Sequence, residues 1–208
     1  MFEKLHKQRK KFLKENARKD FAVLKGENNT LISAPHAVSQ VRLGKNKVAE
    51  IGSLVVALFL QKETNSFLIA KTKNNFDDAN FDIDCAYKLK ILDMIRDLKT
   101  KYLFDIHGLG ADKGVDINLG TGFEKNTQTN PKLLQKLIKD LKSNGFSVSI
   151  DNPFMAGPRT IAGYSKDNAP DIWSIQIEIN CAITNKRENE EKLEKLLNTL
   201  KNFINSLP

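Results

Sequence analysis

The stretch IDCAYKLKILDMIRDLKTKYLFDI, residues 83–106, changes its period part-way along. Up to residue 98, Ala86, Leu89, Leu92 and Ile95 recur every three residues, which predicts one apolar helical face over 83–98. From 102 to 106 the apolar residues crowd into a short run with Tyr102 and Phe104, which predicts a buried strand. Upstream, SFLIAK at 66–71 reads as another strand, followed by the polar loop NNFDDANFD at 74–82. Strand, helix and strand in this order point to a layered α/β architecture.

The pattern continues in both directions. Residues 21–24 and 30–34 are apolar runs separated by the turn-rich GENN at 26–29, as in a hairpin or two neighbouring strands. Val48, Ile51, Leu54, Val55, Leu58 and Phe59 recur at helical spacing and predict a helix over 47–62, starting just after Gly44. Downstream, glycines at 108, 110, 114, 120 and 122 surround a short strand at 115–119. A helix over 131–143 follows, with Pro131 at its first position. Strands at 147–150 and 174–179 flank a Pro- and Gly-rich loop, and a charged helix over 186–207 closes the chain. The expected fold is a three-layer α/β sandwich with a mixed, largely parallel sheet and helices on both faces. One domain is expected to span 1–208, with a basic helix in 1–20 packed on or flanking it.

Composition narrows the function classes. With 40% hydrophobic and 28% charged residues among 208, the chain has the profile of a folded protein. Its longest apolar run, 54–60, is far short of the roughly 20 residues that span a bilayer, and its start is charged, so a cytoplasmic protein is expected. Two cysteines, Cys85 and Cys181, make neither a disulfide scaffold nor a thiolate metal site and are expected to be buried thiols. The net charge of +8 admits nucleic acid or an anionic substrate as partner. The densest basic segment, KLHKQRKKFLKENARK at 4–19, lacks the aromatic alternation of a single-strand binding surface and reads as a solvated helix.

In α/β sheets ligands sit beyond the carboxyl ends of strands, and the conspicuous polar residues fall there. His36 follows the strand at 30–34, His107 follows that at 102–106, and Glu178 lies within 174–179. Two imidazoles and a carboxylate suit zinc, with a fourth position left open. Glu50, placed one turn into the helix after His36, is the first choice for the third ligand, and Asp116 is its rival. Asp105 shares a strand face with His107 and is placed to fix its tautomer. Gln176, Glu178 and Asn180 share one face of their strand, with Glu178 suited to act as general base. Arg42, Arg159 and Asn118 are candidates to hold the substrate, the arginines by pairing with a carboxylate.

The segments SAPHAVSQVR (33–42), KVAE (47–50), FDIHG (104–108), DNPFMAGPRTI (151–161) and IQIEIN (175–180) together resemble the N-formylglutamate amidohydrolase family. That family is similar in fold to zinc carboxypeptidases and aspartoacylase-type deacylases. The resemblance implies a phosphorylase/hydrolase-like fold and one Zn2+ per chain, with His36 and His107 at the histidine positions. It also implies Glu178 as the catalytic glutamate and Arg159 as a substrate-binding residue. The expected activity is hydrolysis of the amide bond of a small N-acyl amino acid bearing a carboxylate. The sequence reads PHA where the family has a PHSG-like turn, so the reaction class carries over and the named substrate does not. The alternatives are a metallocarboxypeptidase acting on small peptides, and a non-catalytic anion- or nucleic-acid-binding protein on the same fold.

Overall fold

Tyr102–Leu109 forms the central strand of a seven-stranded sheet, three residues longer than its apolar run suggests. The computed structural model describes residues 1–83 and 85–208, and position 84, inside the expected helix over 83–98, lies outside the described residues. In chain order the elements are α1 (Phe2–Asn16), β1 (Phe21–Leu24), β2 (Thr30–Ala34), β3 (Gln40–Arg42), β4 (Lys45–Lys47), α2 (Ile51–Thr64) and β5 (Phe67–Lys71). Then follow α3 (Ala86–Asp97), β6 (Tyr102–Leu109), β7 (Ile117–Gly120), α4 (Pro131–Ser143), β8 (Val148–Ile150) and α5 (Ile161–Asn168). The chain closes with β9 (Trp173–Asn180), α6 (Cys181–Asn185) and α7 (Glu190–Asn205).

The sheet order is β1-β5-β2-β6-β9-β7-β8. Strands β5, β2, β6 and β9 run parallel, β1 and β7 pair antiparallel with β5 and β9, and β8 runs parallel to β7. The fold is thus the expected α/β sandwich with a mixed, largely parallel sheet. β1 and β2 are not neighbours, however, because β5 lies between them. GENN therefore turns the chain between separated strands and closes no hairpin.

The two faces of the sheet carry separate cores. One gathers Phe104, Ile106, Ile175, Ile177 and Ile179 with buried residues of α1, α2, α4 and α7. Trp173 sits at its centre, its ring 5.6 Å from Phe104 and 6.4 Å from Phe203. The other gathers Leu31, Ile69 and Leu103 with α3 and the start of α5. In α3 the buried residues are Tyr87, Lys88, Ile91, Met94 and Ile95, so the apolar stripe lies one position off the expected one and Leu89 is exposed.

Four local expectations are corrected. The region after Gly44 is the β3–β4 hairpin, with positive φ at Leu43 and Gly44 forming its turn, and helix α2 starts only at Ile51. The helix expected over 186–207 begins later, at Glu190 after a short 3-10 turn at Arg187–Asn189, and the short α6 precedes both. The loop between β8 and β9 contains α5, whose Thr160 caps it by accepting a hydrogen bond from the Gly163 N–H. Helix α1 is docked through the buried Leu5 and Phe12. Cys85 and Cys181 are free thiols and only half-buried. Among the described residues no helix is long and apolar enough to cross a membrane.

Candidate metal centre and cleft

Three side chains from three different elements meet above the sheet. His36 stands two residues beyond β2, His107 lies inside β6, and Glu50 is the residue just before α2, so neither His107 nor Glu50 occupies its expected local position. The Nδ1 atoms of the two imidazoles are 3.2 Å apart. Glu50 Oε1 lies 2.7 Å from His36 Nδ1, and its Oε2 lies 3.2 Å from His107 Nδ1. The Gly108 N–H donates to Glu50 Oε2 at 2.8 Å and fixes the carboxylate over the strand end.

The far nitrogens determine the chemistry of this triangle. His36 Nε2–H donates to Asp78 Oδ1 at 2.9 Å, and His107 Nε2–H donates to Asp105 Oδ2 at 2.9 Å. With those hydrogens on the aspartates, each Nδ1 is left with a lone pair facing the other and facing a carboxylate. Three lone-pair donors so close together repel unless a proton or a cation lies between them. Burial disfavours the charged imidazole, but Asp105 and Glu50 outweigh it and raise His107 well above its usual value. Burial likewise works against ionised Glu50, yet the two histidines hold its pKa far below the usual carboxylate range.

The same arrangement fits a metal ion. Four ligands about 2.0–2.1 Å from zinc in a tetrahedron stand about 3.3 Å from one another, close to the 3.2 Å between the two Nδ1 atoms and between His107 Nδ1 and Glu50 Oε2. His36, Glu50 and His107 form the one group of this kind among the described residues. Aspartates behind both imidazoles are also the usual means of orienting metal-binding histidines.

Beside the triangle opens a cleft of about 440 Å³. Glu178 lines it from β9, directly across from His107 on one side and Asn118 on the other. Gln176 Nε2 donates to Glu178 Oε1 at 2.8 Å. Burial pushes the Glu178 carboxyl up to about 7, against the pull of His107, and this value suits a group that takes and returns a proton near neutrality.

Arg42 and Arg159 also line the cleft, their guanidinium carbons 5.1 Å and 4.9 Å from the centre of the Phe81 ring. Arg42 Nε also donates to Asp78 Oδ2 at 2.7 Å, so one buried aspartate orients both His36 and an arginine of the cleft. Asp151 anchors the loop that carries Arg159 by accepting from the Thr121 N–H and hydroxyl and from the Phe123 N–H. At its far end the backbone of this loop packs on α5 so tightly that a Cβ at Gly163 would come within 2.2 Å of Gly157 O.

Three residues expected here serve elsewhere. The Asp116 carboxylate is held by Lys192 at 2.6 Å and by Ser147, and does not line the cleft. Asn180 caps α6 through the Ala182 N–H and donates to Val115 O. Asn118 accepts from the Phe154 N–H and holds the loop at 153–160 rather than lining the cleft.

Conversely, the loop at 74–82 supplies residues at the cleft and behind His36 that sequence reasoning passed over. Besides Asp78 and Phe81 it carries Asn80, which accepts from the Ile161 N–H at 2.7 Å. Lys88, buried in α3, donates to Asp82 O and Arg159 O and so joins this loop to the arginine loop.

No family model and no curated protein matches the sequence. Solved structures do match. A gene product from Agrobacterium tumefaciens superposes with a TM-score of 0.64 at 13% identity, covering 94% of this chain and 96% of that one. N-formylglutamate amidohydrolase from Ralstonia eutropha gives 0.61 at 12%, over 89% and 97%. The chain has their fold. A bacteriophage poly-gamma-glutamate hydrolase also gives 0.61, at 15% identity over 88% and 87%. At such identities the likeness is one of architecture, and the site has to be read from its own residues.

Proposed function

We propose that the chain is a zinc-dependent amidohydrolase acting on a small N-acyl amino acid that bears a carboxylate. The observation that carries this reading is the convergence of His36 Nδ1, His107 Nδ1 and Glu50, with both Nε2–H groups held by aspartates, beside the buried Glu178. The likeness to an N-formylglutamate amidohydrolase in fold supports it. His36, Glu50 and His107 would hold the ion, which supplies Lewis acidity toward a carbonyl and a water.

The remaining work falls to the chain's own side chains. Glu178, oriented by Gln176, takes a proton from the attacking water and returns it to the departing amine nitrogen. Arg42 and Arg159, which line the same cleft, pair with the substrate carboxylate and set the direction in which the amide enters. The loop at 153–160 forms one side of the cleft.

Elemental analysis of the purified protein together with its His36→Ala and His107→Ala variants tests this reading. The expected result is about one zinc per chain in the native protein, lost in both variants, with N-acyl amino acid hydrolysis lost alongside. A native chain that neither carries nor takes up a divalent metal would overturn it.

A further inference from the structure

On the other side of Glu50 from the cleft lies a second groove of about 570 Å³, lined by Asn46, Val48, Ile51, Leu109, Cys181 and Asn185 among others. Lys47, Glu50, Gly108 and Gly110 line both hollows, so the two meet along a common sill at the strand tips. The cleft is bordered by Asn80, Phe81 and the loop at 153–160, and the groove by the start of α2 and by α6. Glycine keeps the sill low. A Cβ at Gly108 would come within 3.1 Å of the Glu50 Cβ, and one at Gly110 within 2.6 Å of Asp112 Oδ1.

The hollows differ in chemistry. Two arginines line the cleft, whereas apart from the shared Lys47 and Glu50 the groove offers only uncharged side chains. Val48 leaves 85% of its surface exposed there and Ile51 38%, apolar area that gains by being covered.

This inference rests on the amidohydrolase reading above. In that reaction the C–N bond breaks, the water oxygen joins the carbonyl carbon, and the amine leaves with the proton that Glu178 returns. Glu178 stands in the cleft with both arginines, so the acidic amine half of the substrate lies there. The acyl half then extends the other way, over the sill. We infer that the second groove is an acyl subsite, and that the substrate class is an acidic amino compound N-acylated by an extended, uncharged chain rather than by formyl.

The test is a series of N-acylglutamates, from formyl through acetyl and butanoyl to hexanoyl, given to the zinc-loaded full chain. The expected kcat/KM rises by about fourfold for each added methylene, the worth of one buried CH2. Asn185→Trp and Asn46→Trp, which fill the groove from two separate exposed positions, are expected to bring the hexanoyl-to-formyl ratio down toward one. In a readout independent of turnover, hexanoate added to the zinc-free chain should shift the amide NMR signals of Gly110 and its sill neighbours, and Asn185→Trp should suppress the shift. A flat or falling series, or a ratio that neither tryptophan changes, overturns the acyl subsite while leaving the amidohydrolase reading in place. Hydrolysis of no member at all, formyl included, sinks that reading and the subsite with it.

Discussion

The strands β6 and β9 show two different molecules to their two sides. Toward α2 and α7 they present Phe104, Ile106, Ile175, Ile177 and Ile179, and toward α3 and α5 they present Asp105, His107, Gln176 and Glu178, all buried. The first face gains stability in proportion to the apolar area it hides. The second spends stability, since each polar group taken from water must find a partner or a function. A row of buried polar residues on one side is tolerable because the other side is packed without interruption.

This contrast can be broken at either face. The largest effect is expected for Glu178→Gln, where loss of the proton shuttle lowers kcat by about 10² to 10⁴. Zinc content and thermal stability should both be retained, as steady-state kinetics, elemental analysis and a melting curve would show. A large drop in stability would mean that Glu178 is a structural group. On the packed face, Phe203→Ala removes the ring beside Trp173 and Phe104. It should cost about 3–5 kcal/mol in chemical denaturation, while kcat of the folded fraction stays the same.

Smaller changes sharpen the comparison. Asp78→Asn keeps the shape but weakens the partner of His36 Nε2, and zinc affinity in a chelator competition should fall by about 10- to 100-fold. An unchanged affinity would show that His36 needs no orienting carboxylate. Thr160→Ala deletes the cap of α5 and should cost about 1 kcal/mol, confined by hydrogen exchange to α5 and the loop before it. Protection lost throughout the sheet would mean that this loop is part of the core.

Much of this contrast was legible in the residues themselves. β6, β9 and α4 announce themselves because their pattern is set by burial within a single element, and the alternation in SIQIEIN identifies the polar face of β9 directly. The start of α2 was misread because Val48 falls at helical spacing with Ile51 although it is largely exposed, and the Leu43-Gly44 turn is decided by local backbone geometry. Helix α5 was missed because IAGYSKDN is short and sits among prolines and glycines.

The site divides in the same way. His36 and His107 stand out in a chain with three histidines, and Asp105 follows from strand alternation. Asp78 is one of three aspartates in the polar loop at 74–82, with no period to mark it, and its neighbour Asp77 goes to Lys71 instead. Only the fold decides which of two adjacent carboxylates turns inward.

Lys88 has a mechanical consequence. The residue is 1% exposed, and its ammonium bridges a carbonyl from each lip of the cleft, Asp82 O and Arg159 O. Pulling the lips apart would strand a dehydrated cation with half its partners gone, a cost that grows with the low polarity around it. The two loops are therefore tied into one rim, and moving them together costs less than moving either alone.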